Sequence, residues 1–136
     1  MTVKHRVETT LAPPPLPQFS QGVRKGPLLQ VAGQVGVDPA TGEYVGDDVG
    51  AQTTQVLKNI DAILQAGGAT FDDVISIRVY LRDSADFAAM NAAYDAFVPE
   101  RTPSGVLPAR TTVSWASPCR RSPSRSTPSP CPRSDQ

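Results

Sequence analysis

The chain has few of the side chains that usually serve as redox, metal or nucleophilic centres. Only one histidine and two cysteines occur among its 136 residues. Both cysteines, Cys119 and Cys131, follow Trp115, and His5 lies near the amino terminus. The part of the chain before Trp115 therefore needs no disulfide. It also offers no Ser-His-Asp, Cys-His or metal-ligating constellation, so we expect no metal site.

Long apolar runs and a net charge are also missing. No stretch approaches the roughly 20 apolar residues that cross a bilayer, and no apolar core of a secretory signal follows Lys4 and Arg6. We therefore expect a cytoplasmic protein without a membrane partner. The 13 basic and 13 acidic residues balance. Since residues 115–136 hold four arginines and one aspartate, residues 1–114 keep 9 basic and 12 acidic residues, a net charge of −3. This acidic part gives no electrostatic reason to bind nucleic acid.

Large apolar residues become scarce after Trp115. A chain of this length suits one compact domain. We therefore assign residues 1–114 to a single domain and residues 115–136 to a Ser/Pro/Arg-rich tail. The composition of the tail is typical of a disordered segment that cannot bury a core.

Alternation of apolar and polar residues predicts several strands. An edge-strand candidate spans residues 3–10, and the prolines of residues 13–17 indicate an extended connector. Two further strands, at 19–24 and 28–34, are separated by a turn at 25–27. Residues 74–81 give the clearest strand, and a last β-type run begins at Thr111.

Two amphipathic helices are predicted between these strands. The first is capped by Asp47 or Asp48 and runs to about Ala66, where a Gly-Gly pair ends it. The second is capped by Asp83 or Ser84 and ends at Pro99. The order of elements indicates an α+β domain in which one closing strand is missing at the end.

Four short motifs occur in a fixed order along the chain. They are Gln21-Gly22; Ala32-Gly33-Gln34-Val35 with Asp38-Pro39-x-Thr41-Gly42; Val79-Tyr80-Leu81-x-Asp83; and Asn91-x-x-Tyr94-x-x-Phe97 leading into Pro108-Ala109-Arg110-Thr111. Together they span nearly all of the first 114 residues. In this order and spacing they resemble the RidA (YjgF) family.

The resemblance implies a chorismate-mutase-like α+β fold, with a mixed β-sheet and two helices packed on one face. It also implies a homotrimer whose ligand sites lie between subunits. Members hydrolyse reactive 2-imino or enamine acids to 2-keto acids and ammonia without metal or cofactor. Others have been described as ribonucleases or translation inhibitors.

Arg110 is the first candidate for the site, as a catalytic residue that binds the substrate carboxylate. A guanidinium pairs both oxygens of a carboxylate, which every 2-imino acid carries. Its position in Pro-Ala-Arg resembles the family's carboxylate-binding arginine. For an arbitrary arginine at the start of a strand, a simple surface role would be the more common one.

The other candidates are substrate-binding residues. Gly33, beside Ala32, would let a ligand approach the backbone, although a strand glycine can equally mark a bulge. Asn91 can donate and accept, or can merely border the apolar stripe of its helix. The family uses a backbone N–H at the position of Thr112. Phe19 stands where many members carry a tyrosine, so substrate preference is expected to differ.

The closing strand of the family, of the type Val-Glu-Ile-(Glu/Asp)-Ala, has no counterpart in the tail. Its glutamate orients the attacking water, but no glutamate follows Glu100 here. With one choice of codons, the nucleotides for residues 122–130, read two bases later, encode Ala-Val-Glu-Ile-Asp-Ala-Phe-Ala. We therefore hypothesise a frameshift, which the gene sequence near codons 113–115 would test. The chain as written would expose an unpaired strand edge, so we expect lower stability and impaired activity.

Three functions remain open at this point. The leading one is imine/enamine deamination. The second is non-catalytic binding of small carboxylates in the trimer clefts, which the absent glutamate favours. The third is ribonuclease activity or translation inhibition, which the acidic charge of residues 1–114 disfavours.

Overall fold

The computed structural model describes residues 3–115. In chain order the strands and helices are β1 (Lys4–Val7), β2 (Gly22–Lys25), β3 (Leu28–Val31), α1 (Val49–Ala66), β4 (Ser76–Leu81), α2 (Phe87–Phe97) and β5 (Ala109–Ser114). This is the predicted α+β order, with the edge strand at its start. Apart from Trp115, the predicted tail and the hypothesis about its reading frame lie outside the described residues.

The first helix follows its sequence signals closely. The Asp48 carboxylate caps α1 by accepting from the backbone N–H of Ala51 at 2.7 Å. The helix ends at Ala66 with Gly67 as its C-cap, and Gly68 follows with a φ of 77° that suits glycine. The predicted cap, length and stop of α1 are thus confirmed.

The strands form one antiparallel and one parallel sheet. β1, β2 and β3 pair antiparallel, and the β2–β3 hairpin turns at Gly26, whose φ is 59°. β4 and β5 pair parallel because the chain crosses over through α2 between them. Within residues 3–115 no ladder joins these two sheets.

Both sheets pack against the same helical layer. Ile77 of β4 lies in one apolar cluster with residues of both helices, and Leu29 and Val31 of β3 pack against that cluster. The cluster is closed by an edge-to-face contact between Phe71 and Phe97, with ring centroids 5.6 Å apart. The helices therefore cover one face of the strand layer, as predicted.

The predicted end of β3 is wrong. β3 ends at Val31 instead of residue 34, so Gly33 lies in irregular chain and not in a strand. The Asn59 amide on α1 donates to the backbone oxygens of Val35 and Val37, at 3.3 and 2.9 Å, which holds this segment against the helix.

The start of α2 and the first strand of the hairpin also differ from the prediction. Asp83 caps a short 3-10 turn at Ser84–Asp86 through the N–H of Ala85, and α2 begins only after it. β2 begins at Gly22 and not, as predicted, at Phe19. Phe19 lies in a turn before the strand, in which its N–H donates to the Leu16 carbonyl.

Candidate functional site

Arg110 projects from β5 toward helix α2. Its register partner is the buried Ile77 of β4, and paired residues of a parallel ladder share a face of the sheet. The guanidinium carbon lies 4.7 Å from the ring centroid of Tyr94 and 5.9 Å from that of Phe87. The side chain is therefore held between the edge strand and the helix, partly buried.

The hydrogen-bonding groups of this guanidinium are uncommitted. Within residues 3–115, Arg110 forms no side-chain hydrogen bond and no ion pair, whereas Arg6 and Arg101 both pair with carboxylates. A guanidinium carries five N–H donors in one plane. A partly buried cation with free donors is suited to bind an anion.

Asn91 contributes an unsatisfied acceptor to the same helix face. It lies four residues after Phe87 and three before Tyr94, a spacing that places all three on one side of α2. The Oδ1 atom of Asn91 is buried and has no hydrogen-bond partner. Because such an atom costs roughly 1–3 kcal/mol, it needs an explanation, and a donor from a ligand is one.

Thr112 presents its backbone N–H at the open edge of the parallel sheet. The N–H groups of Ala109 and Trp115 donate to Ile75 and Leu81 on the β4 side, at 3.0 and 2.9 Å. Since backbone groups alternate along a strand, those of Thr112 point to the opposite edge. No strand among residues 3–115 pairs there, so this N–H is available to a ligand.

Burial keeps the Tyr94 phenol neutral. Burial raises the pKa of Tyr94 above its ordinary value of 10.0, and the carboxylate of Asp95 raises it further. The positive charge of Arg110 opposes both effects and lowers that pKa. The net direction is upward, so Tyr94 supplies an uncharged ring beneath the cation.

The remaining predicted site residues lie around the ends of the antiparallel hairpin. Phe19 is half exposed in the turn before β2, and Gly33 is exposed after β3 with open space where a Cβ would stand. Ala32 is tied by its N–H to the carbonyl of Gln21 at 2.8 Å. Over residues 3–115 no hydrogen bond, ion pair or ring contact joins these residues to Arg110.

The sequence missed the two rings next to Arg110 as parts of the site. Tyr94 and Phe87 have the helical spacing of core residues on α2, and that spacing does not indicate a contact with Arg110. Phe87 is in fact 44% exposed, which a core residue would not be. The proximity of β5 to α2 is a tertiary feature, and only the Pro-Ala-Arg motif after the helix hinted at it.

The chain matches the family model described as endoribonuclease L-PSP over residues 9–117. It is 45% identical to a RutC family protein of Pyrococcus horikoshii, covering 76% of this chain and 82% of that protein. It is also 39% identical to the 2-iminobutanoate/2-iminopropanoate deaminase of Escherichia coli K12, covering 81% and 84%.

Solved structures agree with these matches. The yjgF gene product of Escherichia coli superposes with a TM-score of 0.76 at 38% identity, covering 82% of this chain and 86% of that one. Escherichia coli TdcF, solved with bound serine, gives 0.76 at 35% identity, covering 82% and 86%. In the part of the chain that the structure describes, no helix has both the length and the apolar character to span a bilayer.

Proposed function

Because the chain belongs to the RidA (YjgF) family, we propose that it hydrolyses 2-imino and enamine acids to 2-keto acids and ammonia. Relatives in Escherichia coli and Salmonella typhimurium carry the name 2-iminobutanoate/2-iminopropanoate deaminase. In this reaction water adds to the C=N carbon to give a carbinolamine. Its C–N bond then breaks, and the nitrogen leaves as ammonia.

The observation that carries the proposal is the uncommitted guanidinium of Arg110, held over Tyr94, together with the unsatisfied Oδ1 of Asn91 on the same face of α2. In the proposed complex, two N–H groups of Arg110 bind the two carboxylate oxygens of the substrate. A charge-assisted pair of this kind contributes roughly 1.5–3 kcal/mol. It also fixes which end of the molecule faces the reacting centre.

Asn91 and Thr112 would then orient the imine. The imine nitrogen carries a hydrogen that the Oδ1 of Asn91 can accept, and the N–H of Thr112 can donate to an oxygen of the substrate. Together with Arg110, these groups contact the nitrogen end and the carboxylate end of a small 2-imino acid. They leave the imine carbon open to water.

We further propose that the site is completed in a homotrimer, in which Phe19, Ala32 and Gly33 of one subunit approach Arg110 of another. The sheet face opposite the helices exposes large side chains, among them Tyr80 at 74% and Val113 at 50%. Such a surface favours self-association. Light scattering after size-exclusion chromatography measures the assembly, and a strictly monomeric chain would contradict this part of the proposal.

Turnover of an imine generated in situ from an amino acid tests the function. The assay compares the parent chain with Arg110→Ala and Arg110→Lys. We expect kcat/KM to fall about 10- to 150-fold in Arg110→Ala, from the loss of a charge-assisted pair. Arg110→Lys should keep only part of the parental kcat/KM, since an ammonium cannot form the bidentate contact. Equal rates for parent and Arg110→Ala would refute the proposal.

The alternative is non-catalytic binding of small carboxylates at the same arginine. It is favoured by the absence of any glutamate after Glu100, since the family uses a glutamate to orient the water. Saturable binding of pyruvate, combined with no measurable hydrolysis of imines, would establish it. Ribonuclease activity remains the third candidate, because one structural neighbour, from Thermotoga maritima, is described as a putative endoribonuclease. Nuclease activity that disappears on further purification would exclude it.

A further inference from the structure

Two aromatic rings on one face of α2, seven residues apart, lie close to the Arg110 guanidinium. Tyr94 lies 4.7 Å from the guanidinium carbon and Phe87 lies 5.9 Å from it, both measured to ring centroids. We propose that these rings form an aromatic platform that fixes the orientation of Arg110 before a ligand arrives. Tyr94 and Phe87 are thus positioning residues of the site. This inference rests on the proposed carboxylate-binding role of Arg110.

The geometry of a guanidinium explains why a platform matters. A cation is attracted to the face of an aromatic ring within about 6 Å of its centroid. The five N–H groups lie in the guanidinium plane. A ring that covers one face of the group leaves its N–H edge free for an anion, and no acceptor among residues 3–115 competes for that edge.

The platform also lowers the entropic cost of binding. An arginine side chain has about 2 kcal/mol of rotamer entropy to lose when it is immobilised. Ring contacts that already restrict Arg110 remove part of this cost from the binding step. The role belongs to the rings and not to the Tyr94 hydroxyl, which forms no hydrogen bond within residues 3–115.

The two rings differ in how deeply they are buried, and this makes the inference testable. Tyr94 is 6% exposed and belongs to the apolar core, so its removal also affects folding. Phe87 is 44% exposed, and its replacement should leave the fold intact. Phe87→Leu is therefore the principal variant, with Tyr94→Phe as the variant that keeps the ring.

The experiment measures the dissociation constant of pyruvate by calorimetry in the full chain. Phe87→Leu should raise it about 2- to 5-fold, equivalent to roughly 0.5–1 kcal/mol for a solvent-exposed cation–π contact. Tyr94→Phe should stay within about 2-fold of the parent. The same Phe87→Leu change is then made in an Arg110→Ala background, where its effect should vanish. Thermal melting of each variant confirms that it is folded.

The outcomes separate the platform from the proposed function. If Arg110→Ala binds pyruvate as tightly as the parent, Arg110 does not bind the carboxylate. The aromatic platform then has no role either. Weak binding by Arg110→Ala combined with parental affinity in Phe87→Leu would overturn the platform alone. So would a Phe87→Leu effect of equal size with and without Arg110, because the ring would then contact the ligand directly.

Discussion

Gln21 and Thr9 are joined by two hydrogen bonds in opposite directions. The Thr9 N–H donates to Oε1 of Gln21 at 2.7 Å, and Nε2 of Gln21 donates to the Thr9 carbonyl at 3.0 Å. The same Nε2 also lies within hydrogen-bonding distance of the carbonyls of Ala12 and Pro13. The buried Gln21 amide thus holds the backbone of Thr9, Ala12 and Pro13, and no strand among residues 3–115 pairs with this stretch.

Gln21→Ala should therefore destabilise the fold. It leaves backbone groups of Thr9, Ala12 and Pro13 without their side-chain partner, so we expect the free energy of unfolding to fall by about 2–4 kcal/mol. Urea denaturation followed by circular dichroism measures it. The exposed Gln18 supplies a matched control, and Gln18→Ala should change the value by less than about 0.5 kcal/mol. Similar effects of the two substitutions would contradict the anchoring role.

Gly22 and Gly33 should respond to alanine in opposite ways. A Cβ at Gly22 would meet Ile63 at 3.0 Å and Val7 at 3.3 Å, so Gly22→Ala should cost about 1–3 kcal/mol of stability by overpacking. A Cβ at Gly33 would meet nothing within 4 Å, so Gly33→Ala should leave the unfolding free energy unchanged.

Pyruvate binding gives a second test of the Gly33→Ala variant. If a ligand approaches the backbone at Gly33, the methyl group of Gly33→Ala should weaken pyruvate binding several-fold while the protein stays fully folded. Parental affinity in this variant would show that Gly33 is not part of the site.

Much of the fold follows from local signals, and the exceptions are polar residues used over long distances. Asp48 and the Gly-Gly pair mark the ends of α1, and the alternation of β4 matches its buried face. Asn59 gives no such signal. It lies fully buried on the apolar side of α1 because its partners, Val35 and Val37, come from a loop that the sequence cannot place.

The candidate site divides in the same way. Arg110 and Asn91 stand out by motif and by their polar character among apolar neighbours, so they can be identified from the sequence alone. The roles of Phe87 and Tyr94 depend on how close β5 comes to α2, and both residues have the periodicity of ordinary core positions. Periodicity assigns a residue to a helix face but does not show which charged group that face will meet.

Asn91 and Asn59 should behave oppositely when each is replaced by leucine. Asn91 leaves its Oδ1 buried without a partner, so Asn91→Leu should keep or raise the unfolding free energy by about 1 kcal/mol. Asn59→Leu removes donors from two carbonyls and should cost about 2–4 kcal/mol. At the same time Asn91→Leu should lower kcat/KM about 5- to 100-fold, from the loss of one hydrogen bond to the substrate.

An active and more stable Asn91→Leu protein would show that the unsatisfied oxygen has no role in the reaction. A strongly destabilised one would show that Asn91 serves the fold. Only the combination of retained stability and lost activity supports its place in the site.

Alkaline pH should weaken the fold through Tyr94. Its pKa is raised above 10.0 in the folded chain, first by burial and then by Asp95, while the unfolded chain has the ordinary value. The folded state therefore holds the phenolic proton more tightly. The stability that this provides is complete below about pH 10 and is lost as the pH rises through the folded-state value. Unfolding free energies measured from pH 8 to pH 11 should fall less steeply in Tyr94→Phe than in the parent, and parallel slopes would contradict a buried phenol.

Restoring the alternative reading frame should repair both the sheet and the site. Within residues 3–115, β3 and β4 each lack a partner on one side, although both pack against the same core. The tail as written places prolines at 118, 123, 128, 130 and 132, which cannot donate to a ladder. The segment Ala-Val-Glu-Ile-Asp-Ala-Phe-Ala alternates as a strand does and supplies the missing glutamate.

A chain corrected by one base near codons 113–115 should therefore melt at a higher temperature and turn over imines faster than the chain as written. A corrected chain with Gln in place of the new Glu separates the two effects, because it should keep the gain in melting temperature and lose most of the gain in rate. Equal melting temperatures of the corrected and original chains would show that the segment adds no strand. Equal rates with Glu and with Gln would show that no carboxylate is needed there, and the attacking water would then have to be oriented by Asn91 and the backbone of β5.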